Sequence, residues 1–454
     1  MTSGTRPDAP ALARFDARPH REIVALALLA MAALAVAPLL GLVDTALVGR
    51  LGGSALAALG IDMAVFAAVF WIFSFLTYGT TAEVARLRGA GRPDEATRHA
   101  RAALWLAIGL GALVTAVLLA GGPLIVGVMG ADASVAPLAL AYLRVRALAA
   151  IPVLVVAVGH GAFRGCKDMR TPLWITAGAN AANAILAWAL IYSAGLGVAG
   201  AAWGTLLAQT GAASAFLLLG RRAFPAPDSL RVDRAAMRGV LRISTDLFLR
   251  TAALLTGLLV ATAVAARMGT VTIAAHQIAR ELWVMLALVL DGFAIAGQVL
   301  IGTALGAGMP DQARADARRL VWWGLGAGTV IGLVYLALAG PLPRVFTADG
   351  AVLAEVRGVW WIVAALQPTV VVVFVLDGIL LGAGDLRFLL VTTGAAALAG
   401  LAPVALLALT LGWGLAGIWA GMAALMAVRL ATTVPRLLGG RWLVVPAPAQ
   451  PVTT

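Results

Sequence analysis

Charged residues are scarce in this chain. They account for 12% of its 454 residues, whereas 62% are hydrophobic and the mean hydropathy is +0.97. An average soluble domain carries roughly 25% charged residues, and disordered segments are more polar still. The one cysteine, Cys166, excludes an internal disulfide and a cluster of thiolate metal ligands. The composition therefore predicts a polytopic membrane protein.

Sequence motifs of enzymes are missing as well. The chain has no P-loop, no Gly-x-Ser-x-Gly and no His-Glu-x-x-His, and its four histidines are scattered. We therefore expect no catalytic residues, no metal site and no organic cofactor. The missing P-loop also excludes transport powered by ATP bound to this chain.

Twelve apolar runs are long enough to cross a bilayer core, which needs about 20 residues per helix. They are 22–43, 55–82, 101–120, 137–162, 173–193, 198–219, 240–265, 273–302, 320–339, 354–381, 388–411 and 413–434. Arginine concentrates in the N-terminal tail and in the even-numbered gaps, so the positive-inside rule predicts cytoplasmic termini. The net charge of +12 then reflects loops, and we expect no nucleic-acid partner.

The sequence repeats itself at an offset of 217 residues. Gly89-Ala90-Gly91 matches Gly306-Ala307-Gly308, and the same offset relates four further loop pairs: Gly52 and Gly269, Asp132 and Asp349, Gly165 and Gly382, Gly197 and Gly414. Each repeat holds six spans, which predicts two lobes of the same orientation related by a pseudo-twofold axis along the membrane normal. The predicted fold class is an all-α polytopic membrane protein with twelve transmembrane helices.

The repeat also predicts how the chain is divided. We expect a cytoplasmic tail at 1–20, an N-terminal six-helix lobe at 21–219, a cytoplasmic linker at 220–238, a C-terminal six-helix lobe at 239–437 and a second cytoplasmic tail at 438–454. The two lobes are called the N-lobe and the C-lobe below.

Asp44 is the strongest candidate for a functional residue. An ionisable group inside a span costs roughly 2.5–3.5 kcal/mol on insertion scales and therefore indicates a function. Pro38 lies six residues earlier, and a proline permits a helix to bend. A bendable helix with one buried carboxyl is typical of a proton-driven switch, because an apolar environment disfavours the charged form. The alternative is that Asp44 caps the helix end or pairs with Arg50.

Spans five and six predict a polar pocket beside Asp44. Asn180 and Asn183 are three residues apart and so face the same way, and Thr205 and Gln209 are one turn apart. These four side chains are candidates for completing the pocket in the N-lobe. Ordinary hydrogen bonds between helices are an equally good interpretation.

Other spans carry further candidates. For a second protonation site or a cavity wall they are His160, its repeat equivalent Asp377, Asp291 and Gln298. Asp246 and Arg250, four residues apart, are expected to neutralise each other. Span two offers aromatic side chains for a pocket that binds flat organic cations, unless these rings face lipid or the lobe core: Phe66, Phe70, Trp71 and Tyr78.

Three motifs indicate a family: the segment PLLGLVDTALVGRLG at 38–52, the repeated Gly-Ala-Gly, and FRGCKD at 163–168 with LGAGD at 381–385. In these the chain resembles the MATE (multidrug and toxic compound extrusion) family, in particular its DinF-like branch. The resemblance implies a two-lobe antiporter that exports organic, often cationic, compounds in exchange for H⁺ or Na⁺. It also implies that Asp44 matches the family's first-helix acid, Pro38 its bending proline and Asn183 its fifth-helix asparagine. The family often has an acid four residues after that asparagine, where this chain has Ala187.

We therefore expect a monomeric, secondary active antiporter of small organic molecules in a bacterial cytoplasmic membrane, driven by protons in preference to sodium. One alternative is a flippase of lipid-linked precursors from the same broader superfamily. A flippase needs a cavity ringed with arginine, and the main deeply placed arginines expected from the sequence are Arg250 and Arg280. A membrane enzyme or a non-transporting scaffold is a further alternative, which the missing catalytic motifs disfavour.

Overall fold

The computed structural model describes residues 19–225 and 233–445, and these residues form helices joined by short connections. Of the predicted tails and linker, residues 1–18, 226–232 and 446–454 lie outside the described residues. The first half contains α1 (Pro19–Gly49), α2 (Gly53–Ile72), α3 (Phe75–Gly89), α4 (Pro93–Val128), α5 (Ala136–Leu148), α6 (Ala150–Gly165), α7 (Arg170–Trp188) and α8 (Val198–Ala223). The second half contains α9 (Arg234–Met268), α10 (Thr270–Gly306), α11 (Pro310–Ala337), α12 (Pro341–Arg344), α13 (Gly350–Ala365), α14 (Gln367–Ala383), α15 (Leu386–Ala395), α16 (Ala402–Thr410) and α17 (Gly414–Leu438).

These helices make up the predicted spans. Within the described ranges, eight helical segments are long and apolar enough to cross a membrane, and two bent pairs raise that number to ten. The bent pairs, α5 with α6 and α13 with α14, turn by 47° and 48°. The long helices α1 and α10, which pack against each other, complete the predicted twelve. The all-α, twelve-helix fold class is confirmed.

Turns and caps follow the sequence repeat closely. Gly52 and Gly269, which precede α2 and α10, have φ angles of 119° and 123°, and Gly197 and Gly414 have 55° and 59°. Such angles favour glycine because it has no Cβ. Asp132 and Asp349 each accept hydrogen bonds from backbone amides two and three residues later. Asp349 thereby caps α13, and Asp132 holds the turn that precedes α5. The two halves therefore end and restart their helices in the same way.

Close helix contacts repeat as well. A Cβ on Gly111 would lie 2.7 Å from Ile151 Cα, and a Cβ on its equivalent Gly328 would lie 2.7 Å from the Cα of Pro368. Glycine permits such helices to approach closely. In a membrane, helices associate through van der Waals packing rather than through the hydrophobic effect, and small residues make that packing tight.

The lobes meet where α3 of the N-lobe crosses α10 of the C-lobe. A Cβ on Gly89 would lie 2.2 Å from the Thr303 carbonyl oxygen, and a Cβ on Gly306 would lie 2.0 Å from the Arg86 carbonyl oxygen. The two contacts exchange under the 217-residue offset, because it relates Gly89 to Gly306 and Arg86 to Thr303. The pseudo-twofold axis therefore passes between these helices. Their crossing lies at the end of the bundle that carries the arginine-rich loops.

Candidate functional site

Asp44 is buried in the N-lobe beside the predicted asparagine. Its side chain is 8% exposed, and its Oδ1 accepts a hydrogen bond of 3.1 Å from Nδ2 of Asn183, which is 1% exposed. The helix α1 continues through position 38, while the side chain of Pro38 lies outside the described residues. The structure thus brings Asp44 and Asn183 together, and Arg50 is absent from the described contacts of Asp44.

Helix α5 adds two groups to the site that no sequence motif indicated. The buried Tyr142 side chain lies close to the predicted Thr205, and its hydroxyl is within electrostatic range of Asp44. One turn later, the Arg146 guanidinium also acts on Asp44, and it lies 5.1 Å from the ring centre of Phe66 and 5.7 Å from that of Phe70. The N-lobe site therefore combines a carboxylate, an amide, two hydroxyls and one arginine.

Asp62 in α2 belongs to the same cluster. It is 0% exposed, and Arg146 and Tyr142 lie within electrostatic range of its carboxylate. It is an acid in the middle of a predicted span, so the insertion cost that singled out Asp44 singles out Asp62 too.

A central cavity lies between the lobes and has two parts, whose walls have Ser74, Tyr78 and Asp291 in common. The part on the N-lobe side has a volume of about 520 Å³, and its wall includes the predicted Asn180 and Gln209. His160 lines it too, with Nε2 3.2 Å from the Thr176 hydroxyl. Asn180 and Gln209 thus face the cavity, whereas Asn183 is bonded to the buried Asp44 and Thr205 is buried outside the cavity wall.

The part on the C-lobe side, of about 360 Å³, is built around Asp377. Arg250 of α9 and Arg429 of α17 both donate to Oδ2 of Asp377, which is 5% exposed. The expected pairing of Arg250 with Asp246 is therefore wrong: the guanidinium points across the lobe to a different helix. Asp377 is not an isolated protonation site but the shared counter-charge of two arginines.

Two candidates from span eight have different environments. Asp291 lines both parts of the cavity and accepts a hydrogen bond of 2.8 Å from the Tyr78 hydroxyl, which confirms the expected cavity wall. Gln298 is 0% exposed and is absent from the walls of both parts, so its assignment to the cavity wall is wrong. Its backbone packs against Gly382, where a Cβ would lie 2.6 Å from the Gln298 carbonyl oxygen.

Three of the four predicted aromatic residues line the cavity. Phe70 lies on the N-lobe side, Trp71 on the C-lobe side and Tyr78 on both. The prediction is wrong for Phe66, which is 4% exposed and stacks on Phe70 with ring centres 5.6 Å apart. Phe66 instead packs its ring against the Arg146 guanidinium.

Arginines are more numerous in the cavity than the sequence indicated. Arg250 and Arg429 line one part, and Arg146 and Arg164 line the other. Arg280 is absent from both walls and donates to Oε1 of Gln277 at 3.0 Å. The prediction that Arg250 and Arg280 are the main deep arginines is therefore wrong for Arg280.

A bundle of twelve helices in two lobes, with a cavity between the lobes and buried carboxylates beside it, is typical of a multi-pass membrane transporter. The MatE family model matches residues 30–189 and 247–407, and the two matches begin at the repeat offset. The chain belongs to this family, the MATE transporters.

Relatives and solved structures agree with that assignment. The chain is 34% identical over 434 residues to Protein DETOXIFICATION 44, chloroplastic, of Arabidopsis thaliana, covering 92% of this chain and 82% of the relative. It is 28% identical over 405 residues to the DNA damage-inducible protein F of Escherichia coli K12, covering 86% of each. A crystal structure of MATE in the bent conformation superposes with a TM-score of 0.84 at 23% identity, covering 94% of this chain and 95% of that one.

Proposed function

We propose that this transporter is a secondary active antiporter that exports organic compounds, including organic cations, in exchange for protons bound at Asp44. The buried Asp44 carboxylate, held by a single hydrogen bond from Asn183, is the observation that carries the proposal. A carboxyl whose hydrogen bond comes from a neutral amide gains and loses a proton at lower cost than one held in salt bridges by two arginines. Asp377 is fixed in that second way and is the weaker candidate.

The cavity supports an organic substrate. Its C-lobe part is lined by aromatic rings, Trp71, Tyr78, Trp283 and Phe374, together with the Asp291 carboxylate. Aromatic faces and a carboxylate bind flat organic cations by stacking, cation–π contact and charge. We place the protein in the cytoplasmic membrane of a bacterium with both termini cytoplasmic, as the arginine-rich loops predict.

In this cycle, protonation of Asp44 removes its charge and weakens its hydrogen bond from Asn183. Helix α1 is then free to bend near Pro38, and the bend releases the substrate to the outside. After the lobes reorient, the proton leaves to the cytoplasm and Asp44 regains its partner.

The test uses purified protein in liposomes with ethidium and separately imposed proton and sodium gradients. Wild type is expected to accumulate ethidium under the proton gradient, and Asp44→Asn is expected to lose that accumulation while its expression and ethidium exchange persist. Asp94→Asn, an exposed aspartate at the start of α4, is the matched control. Accumulation that survives Asp44→Asn, or that only sodium drives, contradicts the proposal.

A second candidate is the lipid-linked precursor flippase. Four arginines in the central cavity favour it, because guanidinium groups bind pyrophosphate through charge-assisted hydrogen bonds. The test is movement of a fluorescent, lipid-linked pyrophosphate between leaflets, read by quenching with an impermeant reductant. Flipping that requires Arg250 and Arg429, without transport of ethidium, favours this function over the first.

A further inference from the structure

Asp62 has an environment that a carboxylate does not tolerate without a role. It lies in the middle of α2 with 0% exposure, and neither of its oxygens has a hydrogen-bond donor in the described part of the chain. Buried carboxylates are otherwise paired or hydrogen-bonded, because transferring the bare charge from water is strongly unfavourable. The group is therefore neutral for part of the time, or it pairs with a charge that moves.

Arg146 is the charge within reach. Its guanidinium lies over the Phe66 and Phe70 rings, and its Nη1 is buried with no acceptor among the residues that the structure describes. Two ionisable groups lie within electrostatic range of Asp62, and both belong to α5: Arg146 and Tyr142. Both also lie within electrostatic range of Asp44 in α1. One guanidinium thus lies within electrostatic range of two carboxylates, and among the described residues it forms a salt bridge with neither.

The other half of the molecule shows that the fold does not need these polar groups. The offset of 217 places Ala279 at the position of Asp62, Ala261 at that of Asp44 and Val363 at that of Arg146. All three are at most 1% exposed and lie in the apolar core of the C-lobe. The same helices therefore pack with apolar side chains at these positions, and a purely structural role does not account for Asp62.

We propose that Asp62 is a second proton-binding carboxylate of the exchange cycle: one coupled proton is shared between Asp44 and Asp62, and Arg146 pairs with whichever of them is deprotonated. This inference rests on the proposed antiport function.

Charge balance explains the arrangement. Two ionised carboxylates and one guanidinium carry one excess negative charge, and a single proton from the outer solution neutralises the cluster. The proton forms an O–H bond on one carboxyl while Arg146 donates to the other carboxylate. When the lobes reorient, that O–H bond breaks to water on the cytoplasmic side, and the cluster regains its negative charge.

The first test reads protonation without a substrate. Infrared difference spectra between alkaline and acid pH, on purified protein in liposomes, report the carbonyl stretch of protonated carboxyls. Asp62→Asn and Asp44→Asn are each expected to remove the same titrating band, and the double variant is expected to remove no more than either single one. Asp62→Ala, which copies the side chain at Ala279 of the other half, gives the same loss and serves if the asparagine variant folds poorly.

Two spectroscopic results overturn the proposal. In the first, Asp62→Asn keeps the wild-type band, which means that Asp62 binds no proton in the accessible range. In the second, the losses of the two single variants add up in the double variant, because additivity means that the carboxyls titrate independently. Asp94→Asn is the control for the substitution itself.

Transport separates this inference from the antiport function. Asp62→Asn is expected to exchange labelled for unlabelled ethidium but to lose accumulation driven by the proton gradient, as Asp44→Asn does. If Asp44→Asn loses accumulation while Asp62→Asn keeps it, the role of Asp62 fails and the antiport function stands. If both variants keep it, the proposed function fails irrespective of the infrared result.

Discussion

The crossing of α3 and α10 predicts that single methyl groups shift the balance between the two access states. Gly89 and Gly306 lie directly before arginine-rich loops, at the end of the bundle that carries these loops. The backbones of the two lobes are in contact there. Opening the cavity on that side requires these contacts to separate. Gly89→Ala and Gly306→Ala therefore destabilise the state in which the lobes touch at this crossing more than the state in which they have separated there.

The magnitude follows from the distances. A Cβ would lie 2.2 Å from Thr303 O in one variant and 2.0 Å from Arg86 O in the other. Comfortable contact between carbon and oxygen needs about 3.3 Å, so the helices must separate by about 1 Å. Overpacking of this kind costs about 1–3 kcal/mol. If the added methyl group destabilises only the state in which α3 and α10 are in contact, the equilibrium constant between the two states changes by about 5–150-fold.

Double electron–electron resonance measures this change directly. Spin labels on Arg170→Cys and Arg387→Cys, two exposed and repeat-equivalent positions, report the separation of the lobes once Cys166 is replaced by serine. Each glycine variant is expected to enrich the longer distances.

The matched controls are Gly109→Ala and Gly326→Ala. These glycines are repeat equivalents within α4 and α11, and a Cβ at either would meet no atom within 4 Å. Distance distributions that stay at wild type in the Gly89 and Gly306 variants refute the reasoning, because the strain is then absorbed without moving the lobes.

Two further predictions concern charged groups elsewhere. Asp377→Asn leaves the guanidiniums of Arg250 and Arg429 without their shared carboxylate, so we expect the free energy of unfolding to fall by about 3–5 kcal/mol. The measurement is the thermal unfolding temperature in detergent, which should be lower than that of wild type. Asp246→Asn is the control and should unfold close to the wild-type temperature. At the exposed start of α9, hydrogen bonds from the Ala236 and Ala235 amides lower the pKa of Asp233. The stability that this cap gives the helix is therefore complete above the usual aspartate pKa and is lost as the pH falls through the lowered pKa. Hydrogen exchange of the first turn of α9, relative to its intrinsic rate, should accelerate only in acid, and Asp233→Asn should remove that pH dependence.

The sequence was sufficient for the fold because its signals were local or periodic. The apolar runs located all twelve spans, and the offset of 217 predicted the paired turns at Gly52 and Gly269. The contact between Asp44 and Asn183 was expected from the family resemblance together with the helical spacing of the two asparagines. The division into tails, lobes and linker stays a prediction, as do the coupling ion and the monomeric state.

The site was less predictable because its partners come from distant helices. Arg250 has an acid four residues away in sequence, yet it donates to Asp377, which lies 127 residues further along the chain. No local spacing indicates that choice, which the crossing of α9, α14 and α17 determines. Asp62 is different, since the cost of an acid inside an apolar run was visible in the sequence and pointed to it as directly as to Asp44.

The two parts of the cavity show how one duplicated scaffold is used for two purposes. Under the offset, the positions of Arg250, Asp377 and Arg429 correspond to Ala33, His160 and Ala212, and each trio lines its own part of the cavity. The buried acids show the reverse asymmetry, because Asp44 and Asp62 of the N-lobe correspond to Ala261 and Ala279 of the C-lobe. The glycine contacts occur in both halves, whereas each charged cluster occurs in only one. Packing therefore constrains the duplicated frame, and the charged side chains distinguish the lobes: the N-lobe has two buried carboxylates, Asp44 and Asp62, that form no salt bridge among the described residues, and the C-lobe has Asp377 paired with two arginines on the cavity wall.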